Sequence, residues 1–552
     1  MPAANASASP CRVLLVNPQF LAPSFWDFRE ACPIMGAHYP TAPLALITVA
    51  AMLPASWQVR LVDRNVATLK PEHLDWADLI LTTAMFPQQL DALEVIRLAH
   101  AANKPIGIGG PDVTSSPHIY ADADFRVLGE AELVIQDFIA AWERGERSGL
   151  FEAEKFKADV TTTPVPRFDL LKFHNYLYVG VQYSRGCPFT CEFCDIIELY
   201  GRVPRFKTNA QMLAEIQALY DLGHRGHVDF VDDNFIGNKK AIKQFLPDLV
   251  AWQAAHNYPF EFSTEASINL ADDPELLQLM RDANFIAVFV GIESPDSETL
   301  VSMKKKQNTR RSLVDSVHKI YGAGIFVTAG FILGFDSERG SIAKPMIEAI
   351  EAMSIPVCMV GLLYALPNTQ LTRRLTREGR LHSKHDQFRI VDDIGDQCTL
   401  GLNFETKRRR RDILTDYAHV LEEVYAPDAY FERVRRVGQQ LKLPPAGDAG
   451  SFSFMHVLGL IRLVAYLCRN EPHLLGKFWR TGRECWRNNP NALGSVVTLM
   501  VLYLHLGRFA ASVIKSVRQQ IAALDRGDWQ SPPLVPAPPA VAPVPEPMQA
   551  AE

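Results

Sequence analysis

The chain has 552 residues, 48% hydrophobic and 21% charged, an ordinary globular composition with length enough for several domains. A formal net charge of -6 gives no global field favouring nucleic acid or an anionic membrane. The N-terminal stretch MPAANASASPCRVLLV lacks a basic region followed by an apolar one. Of nine cysteines six are scattered (Cys11, Cys32, Cys358, Cys398, Cys468 and Cys485), which makes no disulfide framework. A cytoplasmic location with reduced thiols is expected.

Over residues 10–145 short apolar strands alternate with helix-like runs. Strand candidates are 12–16, 57–63, 77–84, 105–110 and 124–129, separated by runs such as TAPLALITVAAML and PQQLDALEVIRLAHAAN. This alternation predicts an α/β, doubly wound parallel sheet whose ligand sits beyond the C-terminal ends of the strands. GIGGP (107–111) follows the fourth strand and lacks the G-x-G-x-x-G spacing, so it is a poor dinucleotide fingerprint. Two adjacent glycines at a strand end still allow close backbone approach to something flat or bulky. The polar, Pro-containing stretch 146–175 reads as a linker.

A second alternation fills residues 176–380, with strands expected at 178–184, 227–233, 260–267, 287–294, 326–334 and 356–365. Six β/α units make a partial or complete barrel, in which the C-terminal strand ends carry the chemistry. Asp232, Asp233, Glu265, Glu293 and Ser294 lie at such ends. The loop after the first strand reads SRGCPFTCEFC (184–194), placing Cys187, Cys191 and Cys194 at C-x3-C-x2-C spacing. A structural zinc site needs four ligands, and His174, His224 and His227 do not complete one. A redox C-x-x-C of Cys191 and Cys194 leaves Cys187 unexplained. Soft thiolates suit an iron–sulfur cluster, and three of them on a [4Fe–4S] cluster leave one iron open for substrate or cofactor.

CPFTCEFC resembles the signature of the radical SAM superfamily, with Phe193 as the aromatic before the last cysteine. The resemblance implies a (β/α)6 partial barrel. There the open iron chelates S-adenosylmethionine, and an electron cleaves its S–C bond to give a 5′-deoxyadenosyl radical. FVDDNF (230–235) stands where the superfamily often has Gly-Gly-Glu for the methionine amine, which gives Asp232 or Asp233 that role. Glu293 and Ser294 in GIES resemble the ribose contacts. Gly330 and Gly334 in GFILG resemble the strand that passes the adenine.

The first sheet then resembles the cobalamin-binding domain of the class B, cobalamin-dependent radical SAM methylases, the likeness running over about residues 10–440. On it, Gly109, Gly110 and Pro111 approach the corrin or its nucleotide tail, and Gly129 and Glu130 close the site. The D-x-H-x-x-G loop of other cobalamin proteins is missing, and Asn17 with Pro18 occupies the loop after the first strand. Affinity must then come from enclosure instead of a lower histidine ligand. Arrangement and post-barrel segment look most like the hopanoid C-2 methylases. This implies methylation of an unactivated carbon of a polycyclic lipid, and a flavodoxin or ferredoxin as electron donor. Product mass separates this from a non-methylating cobalamin radical cyclase, and deoxyadenosine formation separates it from a non-catalytic cobalamin or iron–sulfur binding protein.

Residues 381–525 are expected to be helical. KRRRR (407–411) reads as a solvated helix start. The apolar run 492–507 is shorter than a spanning helix needs and is bracketed by Arg487 and Arg508, so it reads as buried bundle. An interfacial patch against the inner membrane face is the alternative. The tail 530–552, with its prolines and no Lys or Arg, is expected to be disordered.

Overall fold

A computed structural model describes residues 10–390, 400–443 and 454–536. The first part carries β1 (Arg12–Asn17), β2 (Tyr39–Thr41), β3 (Gln58–Asp63), β4 (Leu79–Thr83), β5 (Ile106–Gly109), β6 (Phe125–Leu128) and β7 (Gly149–Glu152). All but β2 form one parallel sheet in the order β3-β1-β4-β5-β6-β7. A parallel sheet of this kind is buried on both faces, so its strands are continuous apolar runs. In β1 the side chains of Leu14 and Val16 enter one core with Ala92, Val95 and Ile96 of the helix Gln89–Ala101. Those of Val13 and Leu15 enter another with Ile135, Phe138 and Ile139 of the helix Ile135–Glu143. Strand order reverses at β1 and β4, the switch point at which such sheets open a crevice.

The second part carries β8 (Tyr176–Val181), β9 (Ser184–Arg185), β10 (Arg205–Phe206), β11 (Gly226–Phe230), β12 (Phe260–Glu265), β13 (Phe285–Glu293), β14 (Phe326–Leu333) and β15 (Cys358–Leu362). Its main sheet runs β15-β14-β13-β12-β11-β8-β2, parallel throughout. Sequence neighbours are spatial neighbours, as in a half barrel. Val228, Phe230, Val288, Val290 and Ile292 face the outer helices and are fully buried. The concave face is left to polar and aromatic side chains. β9 and β10 form a short antiparallel ladder at the base of the cysteine loop.

Two strands depart from the expected pattern. β7 lies within the stretch read as a linker and extends the first sheet; GLFE is short, alternately exposed and flanked by charges, so it carries no core signal. β2 leaves the first sheet's part of the chain and pairs with β8 at Tyr39–Tyr176 and Thr41–Tyr178. Its Pro40 cannot donate to a ladder, and an edge position suits it. The start of the Pro-rich tail is also placed: Val535 N–H donates to Leu381 O at 2.8 Å and Ser383 N–H to Pro533 O at 2.6 Å. Extended, proline-rich backbone supplies those partners without needing a ladder of its own. Residues 537–552 lie outside the described residues.

The helices Arg410–Val424, Pro427–Gln440, Phe454–Asn470, Leu475–Asn488 and Leu493–Arg526 follow the barrel. KRRRR is not simply solvated. Arg408 pairs with Glu338 (3.0 Å) and Asp416 (2.6 Å), and Arg410 donates to the carbonyls of Leu402 and Phe404. Burial lowers the Arg410 pKa to about 10. The apolar run 492–507 belongs to a 34-residue helix long and apolar enough to cross a membrane by length and composition. Val496, Leu499, Leu504 and Leu506 of that helix are buried within the protein. Mid-helix, the buried His505 bonds Glu30 at 2.8 Å and the Ser24 carbonyl at 2.9 Å. Arg433, with no exposed surface, joins bundle to barrel by donating to Ile355 O (2.8 Å), Val424 O and Glu351. Arg433→Leu strands these acceptors and should cost about 3 kcal/mol, seen as an earlier thermal transition.

Candidate active site at the barrel mouth

The cysteine loop is held at several points along its backbone. Gly186 sits at φ +99°, where an added Cβ would lie 3.0 Å from Gly201 O, so a side chain is excluded on both counts. Its N–H donates to Asp233 at 2.7 Å. Cys187 N–H donates to Gly201 O, Glu192 N–H to Met303 O and Cys194 N–H to Cys191 O. Amide N–H groups approach the sulfurs: Asn234 Nδ2 is 3.9 Å from Cys187 Sγ and Gln307 Nε2 is 3.9 Å from Cys191 Sγ. Burial raises all three thiol pKa values, Cys194 furthest, while Lys305 pulls Cys191 back down. Donors and a cation aimed at sulfur suit thiolate ligands. Among the described residues no three His, Cys, Asp or Glu converge on a point fit for a single ion. A cluster, whose irons stand at separate corners, asks for more widely spaced ligands, and this donor set fits one.

Beside the loop lies a buried ion pair. Lys305 Nζ is 2.5 Å from Glu293 Oε1 and 6.0 Å from the centre of the Phe193 ring, which meets Phe335 edge-on. Burial alone would lower the Lys305 pKa, but Glu293 and then Cys191 hold it above its ordinary value. Glu293 adopts φ +65° where the β13–β14 register shifts, a strained conformation that aims its carboxylate inward. Ser294 is fully buried, its Oγ accepting from Asp296 N–H at 3.1 Å, so that hydroxyl holds a turn. A Cβ on Gly330 would stand 3.1 Å from Phe289 Cζ and 3.8 Å from Glu293 Oε2. Gly334 (φ +103°) is shaped by packing instead, since a Cβ there would meet Leu402 at 2.6 Å.

Of the two aspartates, Asp232 plays a role other than the expected one. Asp232 is fully buried and accepts from Tyr183 N–H (2.9 Å), Ser184 N–H (2.6 Å) and Ser184 Oγ (2.5 Å). Its carboxylate is consumed in bracing the strand end before the cysteines and is not free for an amine. Burial raises its pKa to about 7 and that of Asp233 to about 6. Further along the concave face Glu265 opens toward the interior, with Asp229, Ser263 and His227 nearby in a chain. His227 Nε2 is 2.7 Å from Ser263 Oγ, which donates to Asp229. Enclosure, then the charges of Asp229 and Asp233, lifts the Glu265 pKa to about 8.

At the C-terminal edge of the first sheet the glycines are packing residues. A Cβ on Gly110 (φ +111°) would lie 2.5 Å from Thr83 Oγ1 and 2.9 Å from Ala84 O. It therefore fits against the neighbouring strand end, and a side chain there would disturb that strand end. Gly129 (φ +81°) faces Ala153, and Gly109 stands at ordinary contact with Val127. Pro111 opens the helix Pro111–Ser115. Asn17 is buried and donates to Asp63 at 3.0 Å. Glu130 does not close a ligand site alone. It takes Arg185 Nη1 at 3.0 Å and Arg205 Nη1 at 2.8 Å, while Glu132 takes Arg185 Nη2 at 2.7 Å. Met85, just past β4, is half-exposed at this edge. The post-barrel segment reaches it through Phe388 N–H to Gln89 Oε1, 2.7 Å.

Residues 181–344 match the Radical SAM superfamily model, and 369–519 match a domain of unknown function, DUF4070. An uncharacterized methyltransferase of Synechocystis sp. is 42% identical over 514 residues, 92% of this chain and 94% of that protein. The hopanoid C-2 methylase of Rhodopseudomonas palustris is 39% identical over 385 residues, 68% of this chain and 72% of that one. The solved radical SAM methyltransferase TsrM of Kitasatospora setae, with cobalamin and a [4Fe-4S] cluster bound, shares the fold at TM-score 0.56. It is 18% identical, over 68% of this chain and 81% of its own. OxsB, a cobalamin-dependent S-adenosylmethionine radical enzyme, does so at TM-score 0.57 and 17% identity, over 94% and 82%. The chain belongs to the radical SAM methyltransferase family of the Synechocystis and Rhodopseudomonas relatives.

In this methylase Lys305, Arg185 and Arg205 are site residues that no motif announces, because their partners Glu293 and Glu130 are distant in sequence. The titration of Glu265 has a measurable sign. Its folded pKa of about 8 lies above its ordinary 4.5, so the folded state holds a proton that the unfolded state releases between those values. Stability from this group is complete below pH 4.5 and is lost as pH rises toward 8. Glu265→Gln should flatten that fall in thermal midpoint over the interval; an unchanged slope would mean another group carries it.

Proposed function

We propose that this methylase transfers a methyl group to an unactivated carbon of a polycyclic hydrocarbon lipid of the hopanoid class, at ring carbon C-2. The observation that carries the substrate class is the 39% identity with the hopanoid C-2 methylase, which extends over most of both chains. As a class B radical SAM methylase it works with a [4Fe–4S] cluster, S-adenosylmethionine and cobalamin, which supply a hydrogen-abstracting radical and a transferable methyl group.

The chain's own residues bind, orient and enclose. Cys187, Cys191 and Cys194 hold the cluster, with Asn234, Gln307 and Lys305 supporting the charge on sulfur. Phe193 covers the Lys305 side of the loop. Glu293, fixed by Lys305, would accept the ribose hydroxyls, and bare Gly330 beside Phe289 would leave room for the adenine. Asp233 is the acid left to meet the methionine amine, since Asp232 is committed to the backbone. Cobalamin would be held at the C-terminal edge of the first sheet, beside Met85 and Gly109 and above the buried Asn17. No histidine stands in the loop that leaves β1, so enclosure between sheet and barrel retains it. A flavodoxin or ferredoxin supplies the electron.

Replacing Cys187, Cys191 and Cys194 together with Ala should abolish the cluster absorbance and all deoxyadenosine formation. A full iron complement in that variant would overturn the ligand assignment. With wild-type protein, anaerobic reconstitution with S-adenosylmethionine, cobalamin, reductant and a hopanoid should give a product heavier by one methylene. Deoxyadenosine accompanied by a desaturated or cyclised product would favour the non-methylating reading.

A further inference from the structure

The helices Phe454–Asn470 and Leu475–Asn488 are joined by a turn at Pro472 and pack on one another. The second buries Phe478, Thr481 and Cys485 and turns its opposite side outward. On that side Trp479 is 75% exposed and Trp486 65%. Seven residues apart, they lie on one line of the helix two turns from each other. Arg480, Arg483 and Arg487 share this exposed side. Among the described residues none of the three forms a close ion pair, although Arg480 is near enough to Asp428 to add to the lowering of its pKa by Lys477. The helix's one acid, Glu484, is turned toward Gln439 and Arg435 instead. The first helix adds Leu460 at 53%, Ile461 at 60% and Val464.

Single exposed apolar residues are ordinary, but two tryptophans on one helix face beside three exposed arginines, with three exposed aliphatic side chains on the adjoining helix, are not. Tryptophan rings settle where apolar chains meet polar headgroups, and arginines there neutralise anionic lipid. We propose that these two helices dock the protein onto the surface of an anionic phospholipid bilayer, with Trp479 and Trp486 inserted at headgroup depth. The chain's overall charge of -6 does not oppose this, because the docking face is locally cationic.

The surface also leads inward. Gly459 lies under Ile34 of the short helix Ala31–Met35, and the preceding loop places Trp26 between Phe28 (6.1 Å) and Phe289 (5.4 Å). Phe289 is the ring against Gly330 at the barrel mouth. The first docking helix thus packs on the segment whose Trp26 ring reaches toward the barrel mouth. The docking proposal itself stands on the surface and not on the substrate assignment.

Flotation of the full-length protein with vesicles of phosphatidylcholine, with and without phosphatidylglycerol, tests it without any substrate present. The wild type should float with phosphatidylglycerol vesicles and less so as salt rises. Arg480→Gln with Arg483→Gln and Arg487→Gln should weaken partitioning roughly 100-fold. Trp479→Ser with Trp486→Ser should abolish flotation at unchanged thermal midpoint, since both rings are exposed. Flotation unaltered in both variants would overturn the proposal. So would a self-association of the wild type, seen by sedimentation and lost in the tryptophan variant, which would assign the face to a second copy of the chain.

Discussion

The site depends on one nearly buried guanidinium. Arg185 begins the cysteine loop on β9, yet both of its charge partners, Glu130 and Glu132, come from the end of the first sheet. Arg205, on the strand where the loop returns, takes the other oxygen of Glu130. Loop entry and exit are thus tied to the same carboxylate. The loop that carries the cysteines cannot shift relative to the first sheet without stranding buried charge, which costs several kcal/mol. A group held by the cysteine loop and one held by the first sheet would then keep a fixed separation, so that both could reach one substrate carbon.

The same logic explains why acids that resemble substrate contacts in the sequence do structural work. Asp232 accepts three hydrogen bonds at the end of β8, and without it Tyr183 and Ser184 would leave buried N–H groups unmatched. Ser294 caps a turn. What remains open toward the interior is Glu293, Glu265 and, in part, Asp233. Glu293 is in turn neutralised by Lys305, which also faces Cys191. Burial raises the pKa of Glu265 and, less far, that of Asp233, so the acids facing the interior carry less charge than their number suggests.

Much of this was legible in the sequence. Eleven strands fall within a few residues of their expected places because each is a continuous or alternating apolar run. The cysteine triad declared itself by spacing. What was not legible shares a physical character: it depends on pairing across long sequence separations. β2 has three residues and a proline, β7 has no buried periodicity, and Lys305, Arg185 and Arg205 owe their roles to partners 12, 55 and 75 positions away. Gly110 shows a related limit: a glycine at a strand end serves a neighbouring strand as well as a ligand, and here an added Cβ would lie 2.9 Å from Ala84 O.

The C-terminal helices answer a different constraint. Their inner faces are fixed by Arg433, His505 and the apolar residues around them, so their outward residues are free to vary without cost to the fold. On such a surface a pair of tryptophans is not explained by packing. Apolar substrate would reach an aqueous barrel mouth slowly, because its concentration in water is limited by the same hydrophobic cost that drives it into lipid. On the proposed reading, a protein docked at a bilayer would draw on substrate already dissolved there. The long helix Leu493–Arg526, apolar enough in composition to span a membrane, is instead spent inside the protein as the post against which the docking pair is set.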